Sequence, residues 1–243
     1  MLDPKRNMAS RLTVQPSGPL SVTRYTVGST SFDMLRVPPG RFLSPAYFQS
    51  GPREVLVSRP FEVGVTEVTE ELWFAVMGSL SPARSNGPDR PMQMVSWEAA
   101  EAFAGLLDVR HGLPGFRLPT DAEWTWASSC GVRTRWSGSS RAPAVVSAVT
   151  GVVPVSSLAP SAVGAFDLSG NVAEWTQDGS IPESGVDPKG PVINDFRINR
   201  GAGWTNSLWT AGEARTGISV TRSVDAKNRI NGYTGLRLAR TLQ

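Results

Sequence analysis

Phe116-Arg117-Leu118-Pro119-Thr120-Asp121-Ala122-Glu123-Trp124 is the stretch on which the reading of this chain turns. Thr120 and Glu123 have the spacing of a capping box, in which each side chain satisfies the other's free backbone N–H. A helix therefore starts here, with Trp124 and Ala127 facing inward. Upstream, Ser96 caps a longer helix, where Trp97, Ala100, Ala104 and Leu107 recur at helical spacing. Further upstream, Thr69 caps a third, Glu70 and Glu71 suit its positive end, Leu72, Phe74, Ala75 and Val76 pack it, and Gly78 ends it. Ahead of the helices lie short strands. Met34–Val37 and Arg41–Leu43 flank a Pro38-Pro39-Gly40 turn, and Val55–Val57 and Phe61–Val65 follow. Residues 1–30 are polar and rich in Ser, Thr and Pro, so they read as an arm or edge strands before a single domain over 31–243. After Gly131 the helical signal stops, and the chain becomes rich in Gly, Ser and Pro with short apolar runs. Long ordered stretches of this kind are functional or held by ions and aromatic anchors.

The totals agree with a loop-rich globular domain. The 243 residues are 40% apolar and 19% charged, enough to bury a core without staples. The 24 Gly and 19 Pro favour turns over long helices, and eight Trp offer anchors that are costly to leave in water. Net charge is +3, but Lys and Arg are scattered without a phosphate-gripping run, which argues against nucleic acid as partner. No stretch approaches a membrane span, and Met1–Val14 has no apolar core of a signal peptide. With Cys130 as the one cysteine, the expectation is a cytoplasmic protein, with export by a signal-free route or incorporation into a virion left open.

Four segments stand in order: Pro91–Phe103 (PMQMVSWEAAEAF), Phe116–Trp124 (FRLPTDAEW), Gly164–Trp175 (GAFDLSGNVAEW), and Arg200–Trp204 (RGAGW) with Gly235-Leu236-Arg237-Leu238 near the end. Val65-Thr66-Glu67-Val68-Thr69 precedes them. This series resembles the formylglycine-generating enzyme (sulfatase-modifying factor) family over about Met34 to Arg240. The resemblance implies an α+β fold of the C-type-lectin type. It would have two main helices, small twisted antiparallel sheets and much irregular structure.

The same resemblance implies a test for chemistry. Family enzymes that make formylglycine hold copper with two cysteines near the C-terminus, because soft thiolates select Cu(I). The matching segment here is Gly203–Arg215 (GWTNSLWTAGEAR), with Ser207 and Gly212 at the cysteine positions. Iron-dependent relatives from ergothioneine and pyoverdine biosynthesis use several histidines. This chain has one, His111, at the polar end of the second helix. A Cys/His zinc site is equally out of reach, and no Gly-x-Ser-x-Gly elbow is present. Copper, iron and zinc are therefore not expected, and no catalytic residue is assigned.

Asp167 and Glu174 bracket Gly170 with oxygen donors at close spacing, the set that a calcium ion takes. The resemblance implies such a site at Asp167, Gly170, Val172 and Glu174. A second reading has Asn171 and Glu174 brace the loop by hydrogen bonds alone. The family's substrate groove falls on the segment from Gly201 onward. Here Trp209, Arg215, Arg222, Arg229, Asn231 and Tyr233 give the mixture of aromatic, Arg and small polar groups that binding surfaces use. That likeness extends to the variable proteins of diversity-generating retroelements. The expectation is a non-catalytic domain that binds a protein or small-molecule ligand through this segment. The alternative is a divergent metal-dependent oxidoreductase of the same family.

Overall fold

The computed structural model describes residues 20–44, 53–80, 86–129, 151–157, 160–161, 163–180, 182, 184–192, 195–204 and 222–242. In chain order these form β1 (Val22–Val27), β2 (Thr30–Val37), β3 (Gly40–Ser44), β4 (Arg53–Val57), β5 (Phe61–Gly64), α1 (Glu70–Met77), α2 (Trp97–His111), β6 (Phe116–Arg117), α3 (Asp121–Ser129), β7 (Ala173–Trp175), β8 (Gly185–Val186), β9 (Phe196–Arg200), β10 (Arg222–Ala226), β11 (Thr234–Gly235) and β12 (Ala239–Thr241). Cys130, Ser207, Trp209, Gly212 and Arg215 lie outside the described residues.

The helix starts follow the capping chemistry. Thr69 Oγ1 accepts from Leu72 N at 3.2 Å, and Ser96 Oγ from Ala99 N at 3.2 Å. At α3 the box closes from both sides: Thr120 Oγ1 accepts from Glu123 N at 3.1 Å, and Glu123 Oε2 from Thr120 N at 2.8 Å. Gly78 and Gly112 end α1 and α2 with φ of 75° and 64°, a left-handed turn that glycine takes without strain. Phe74 departs from expectation. It is 55% exposed, because the inward stripe of α1 is Leu72, Trp73 and Val76.

Five strands form the larger sheet in the order β1-β2-β5-β12-β6, so the last strand of the chain slots between β5 and β6. Neighbouring residues Met34 and Leu35 on β2 enter different core clusters, as do Leu238 and Ala239, so the sheet is covered on both faces. One cluster joins α1 and α2, with Trp73 and Phe103 stacked at 5.1 Å. The other holds α3, with Trp124 and Trp126. A second sheet runs β10-β9-β7-β11 and a third β3-β4-β8. Two pairings, β11 with β7 and β4 with β8, are parallel rather than antiparallel. Each adds a two-residue strand that a long connection lays beside an existing one, where no hairpin dictates direction.

Buried indoles hold the irregular chain in place. Trp126 Nε1 donates to Pro38 O at 2.8 Å, and Trp175 Nε1 to Val95 O at 2.8 Å. Trp97 Nε1 donates to Thr176 O at 2.8 Å. Gly40 is needed for this packing, since a Cβ there would lie 2.0 Å from the Trp126 ring. Gly105, on the exposed face of α2, has open space around it. Gly40→Ala should therefore lower stability by about 1–3 kcal/mol or more through overpacking. Gly105→Ala should raise it by about 0.5–1 kcal/mol. Urea midpoints of the two variants check both signs.

Candidate functional site

Two buried polar centres underlie the segment expected to bind. The first is built on Glu174, which β7 carries fully into the interior. Arg237 Nε lies 3.0 Å from each of its oxygens, Nη2 lies 2.7 Å from Oε1, and Trp124 Nε1 donates to Oε2 at 2.6 Å. Arg237 also donates to Gly64 O at 2.9 Å and Phe166 O at 2.6 Å. Glu67 stands beside this pair and accepts from Asn171 Nδ2 at 2.8 Å and Val172 N at 3.0 Å. Burial, then the charges of Asp167 and Glu174, push the Glu67 carboxyl well above the usual carboxylate range. Asp167 and Asn171 hold left-handed backbone at φ of 60° and 64°. Asp167 Oδ2 accepts from Ser156 N at 2.5 Å, and Asn171 Oδ1 from Val153 N at 3.0 Å.

Of the four expected metal ligands, Glu174 shares its carboxylate with Arg237 and Trp124, while Gly170 and Val172 would offer a cation their backbone carbonyls. Asn171 and Glu174 do make hydrogen bonds that brace the loop. Among the described residues no group of three or more His, Cys, Asp or Glu side chains is arranged to hold a metal. Against its burial, Glu174, Glu67 and Asp167 together raise the Arg237 guanidinium, and their oxygens are the donor type a hard cation takes.

The second centre sits at the start of α3. Asp121, 1% exposed, takes both Arg222 Nε at 2.7 Å and Nη2 at 2.6 Å, with Arg200 Nη1 at 3.5 Å. Arg200 also donates to Thr125 Oγ1 at 3.0 Å and lies 4.6 Å from the Trp124 ring centre. Burial raises the Asp121 carboxyl, but the charges of Arg200 and Arg222 outweigh it and hold it below 3.8. Asp178 accepts from Asp121 N at 2.6 Å and from Gly190 N. Burial foremost, with the charges of Asp121 and Glu123, lifts Asp178 to about 6 against two opposing backbone hydrogen bonds.

Arg222 corrects one expectation. It is buried and committed to Asp121, so it braces the scaffold and does not face a ligand. The other described members of the expected face gather after β10. Arg229 is 55% exposed along its side chain and pairs with Asp225 at 2.7 Å. Asn231 Oδ1 accepts from Tyr233 N at 3.2 Å, and both residues are half-buried. Trp204 joins them through Nε1–H to Gly232 O at 2.9 Å. Trp209 and Arg215 lie outside the described residues. His111 ends α2, as expected. In the sequence, Glu67 and Arg237 carry one signal, a charge among uncharged neighbours in Val65–Thr69 and Gly235–Leu238.

The family model of the sulfatase-modifying factor enzyme 1-like domain matches residues 23–242, and the chain belongs to this family. The chaperone protein LppX of Paenibacillus barcinonensis is 27% identical over 238 residues, 74% of this chain and 80% of that one. A formylglycine-generating enzyme of Streptomyces coelicolor is 32% identical over 143 residues, 48% of this chain and 43% of that one. The chain thus spans less than half the length of that enzyme. Among solved structures, Treponema denticola variable protein 1 superposes with a TM-score of 0.77 at 26% identity, covering 90% of this chain and 98% of that one. PvdO from Pseudomonas aeruginosa superposes at 0.74 with 19% identity, covering 90% and 98%, a likeness of fold alone. No helix among the described residues is long and apolar enough to cross a membrane.

Asp121 and Asp178 have opposite pH consequences. A depressed carboxyl adds stability above its unfolded value of 3.8 that is lost as pH falls through the lower folded value. A raised one loses stability as pH climbs from 3.8 to about 6. Asp121→Asn should cost about 3–5 kcal/mol at pH 7 by leaving two guanidiniums without their partner. It should also flatten the acid limb below pH 3.8. Urea midpoints from pH 7 to 3 check both.

Proposed function

We propose that this domain is a non-catalytic binding module that recognises a protein partner through the segment running from Gly201 to Tyr233. The observation that carries this is compositional. The family scaffold is kept, while the whole chain offers one cysteine and one histidine, too few for a two-thiolate copper site or a multi-histidine iron site. Arg229 supplies exposed charge, and the half-buried Trp204, Asn231 and Tyr233 gather beside it and beside the two buried centres. The names of two similar proteins, a chaperone and a variable protein, support a role in binding other molecules. The variable-protein likeness also supports diversification of this segment. The competing reading, a divergent oxidoreductase, draws support from the formylglycine-generating enzyme relative.

A photo-crosslinking residue at Arg229 in the full chain, expressed in its own host, should capture one discrete protein. The same residue at Val109, 84% exposed on α2, should not. Equal labelling from the two positions would contradict the proposal.

A structural cation at the loop of Asp167, Gly170, Val172 and Glu174 is a separate proposal. It rests on the buried excess of Glu67, Asp167 and Glu174 over Arg237, which either a proton on Glu67 or a bound cation would relieve. If calcium serves, a chelator lowers the melting temperature by several degrees, and added calcium restores it. An unchanged melting curve assigns the role to the proton.

A further inference from the structure

Beside the Asp121 centre, a cleft of about 230 Å³ opens where the ends of β4, β5 and β12 meet β6, the start of α3 and the 187–189 loop. None of its lining residues belongs to the segment 201–233. Its wall is set by the backbone. β8 runs beside β4, Asp187 N donates to Leu56 O at 2.8 Å, and Asp187 then turns with φ of 45°. Ser58 N donates to Asp187 Oδ1 at 2.7 Å and pins that turn. Lys189, two residues on, lines the same cleft as Arg59 and Pro60.

The charges within the cleft are unequal in their commitments. Arg117 is fully spent: it pairs with Glu123 through two contacts of 2.7 Å and donates Nε–H to Thr241 Oγ1 at 2.8 Å. Glu123 is neutralised by it and also accepts from Thr120 N. Asp187 is held by the backbone and hydroxyl of Ser58. Arg59 and Lys189, both exposed, line the cleft and form no ion pair with any described residue. Beside them stand the half-buried apolar side chains of Pro60 and Leu242, with the core residue Phe61 behind them.

We propose that this cleft binds a small organic carboxylate, with Arg59 and Lys189 taking the anionic group and the Pro60 and Leu242 wall taking its apolar body. A guanidinium presents parallel N–H donors that match a carboxylate, and an ammonium adds a second point of attraction. An apolar wall beside a few convergent polar groups is the usual composition of a small-molecule site. Inorganic phosphate would use the cations and leave the wall without a partner.

The test is calorimetric titration of the full chain with benzoate, with benzamide and inorganic phosphate as comparators. Benzoate should saturate the site with a Kd of about 1 mM or tighter, and both comparators should bind at least about tenfold more weakly. The double variant R59Q/K189Q, whose exposed positions leave the melting temperature unchanged, should weaken benzoate by about tenfold or more. Benzamide or phosphate binding as well as benzoate would overturn the proposal. So would an unchanged benzoate affinity in R59Q/K189Q, or no saturable binding up to about 10 mM. Because the site shares no residue with the partner-binding segment, its failure leaves that reading intact.

Discussion

The buried pair of Arg237 and Glu174 is the constraint on which the rest of the molecule depends. One guanidinium reaches a carboxylate on β7, the carbonyl that ends β5 and the carbonyl of Phe166. Those groups come from three separated parts of the chain, two of them in stretches with little regular structure. Isolated short strands and loops cannot hold one another in register by ladder hydrogen bonds alone. A buried charge that must be satisfied fixes their relative positions, since leaving either partner unpaired costs several kcal/mol. The Trp124 indole, donating to the same carboxylate, ties α3 into the arrangement.

The Asp121 centre repeats the solution one layer away. Arg200 from β9 and Arg222 from β10 converge on the first residue of α3, so the sheet beneath the candidate binding segment is locked to the helix. Polar layers of this kind let a domain carry much irregular backbone without losing a unique structure. They also separate tasks. The interior sets the shape, while the exposed side chain of Arg229 lies outside it. A scaffold with that division suits recognition, and it persists here without the ligand sets that the family's redox chemistry requires.

Much of this was legible in the residues, and the legible part has a common physical character. Capping boxes, left-handed glycine ends and inward indoles are local, so Thr120–Glu123, Gly78 and Trp124 announced their roles within a few positions. The motif series located the scaffold as a whole. What escaped reading was long-range. Arg222 looked like a surface arginine because charged residues are rarely fully buried, and its partner Asp121 lies 101 positions away. Glu67 and Arg237 stood in plain view, yet nothing in their neighbourhood in sequence named the groups they satisfy. The two-residue strands β8 and β11 carry too few residues for any apolar alternation. Trp73 rather than Phe74 stacks on Phe103, a phase that the sequence of a short helix leaves open because it offers only about two turns.

The most direct test of a family scaffold without its redox centre is copper(I) titration of the full chain, followed by oxygen uptake with a cysteine-containing peptide as substrate. The account predicts no stoichiometric copper retained at chelator-buffered concentrations. It also predicts no oxygen consumption beyond that of the Cys130→Ser variant. One equivalent of retained copper, with conversion of the peptide cysteine to an aldehyde, would contradict it.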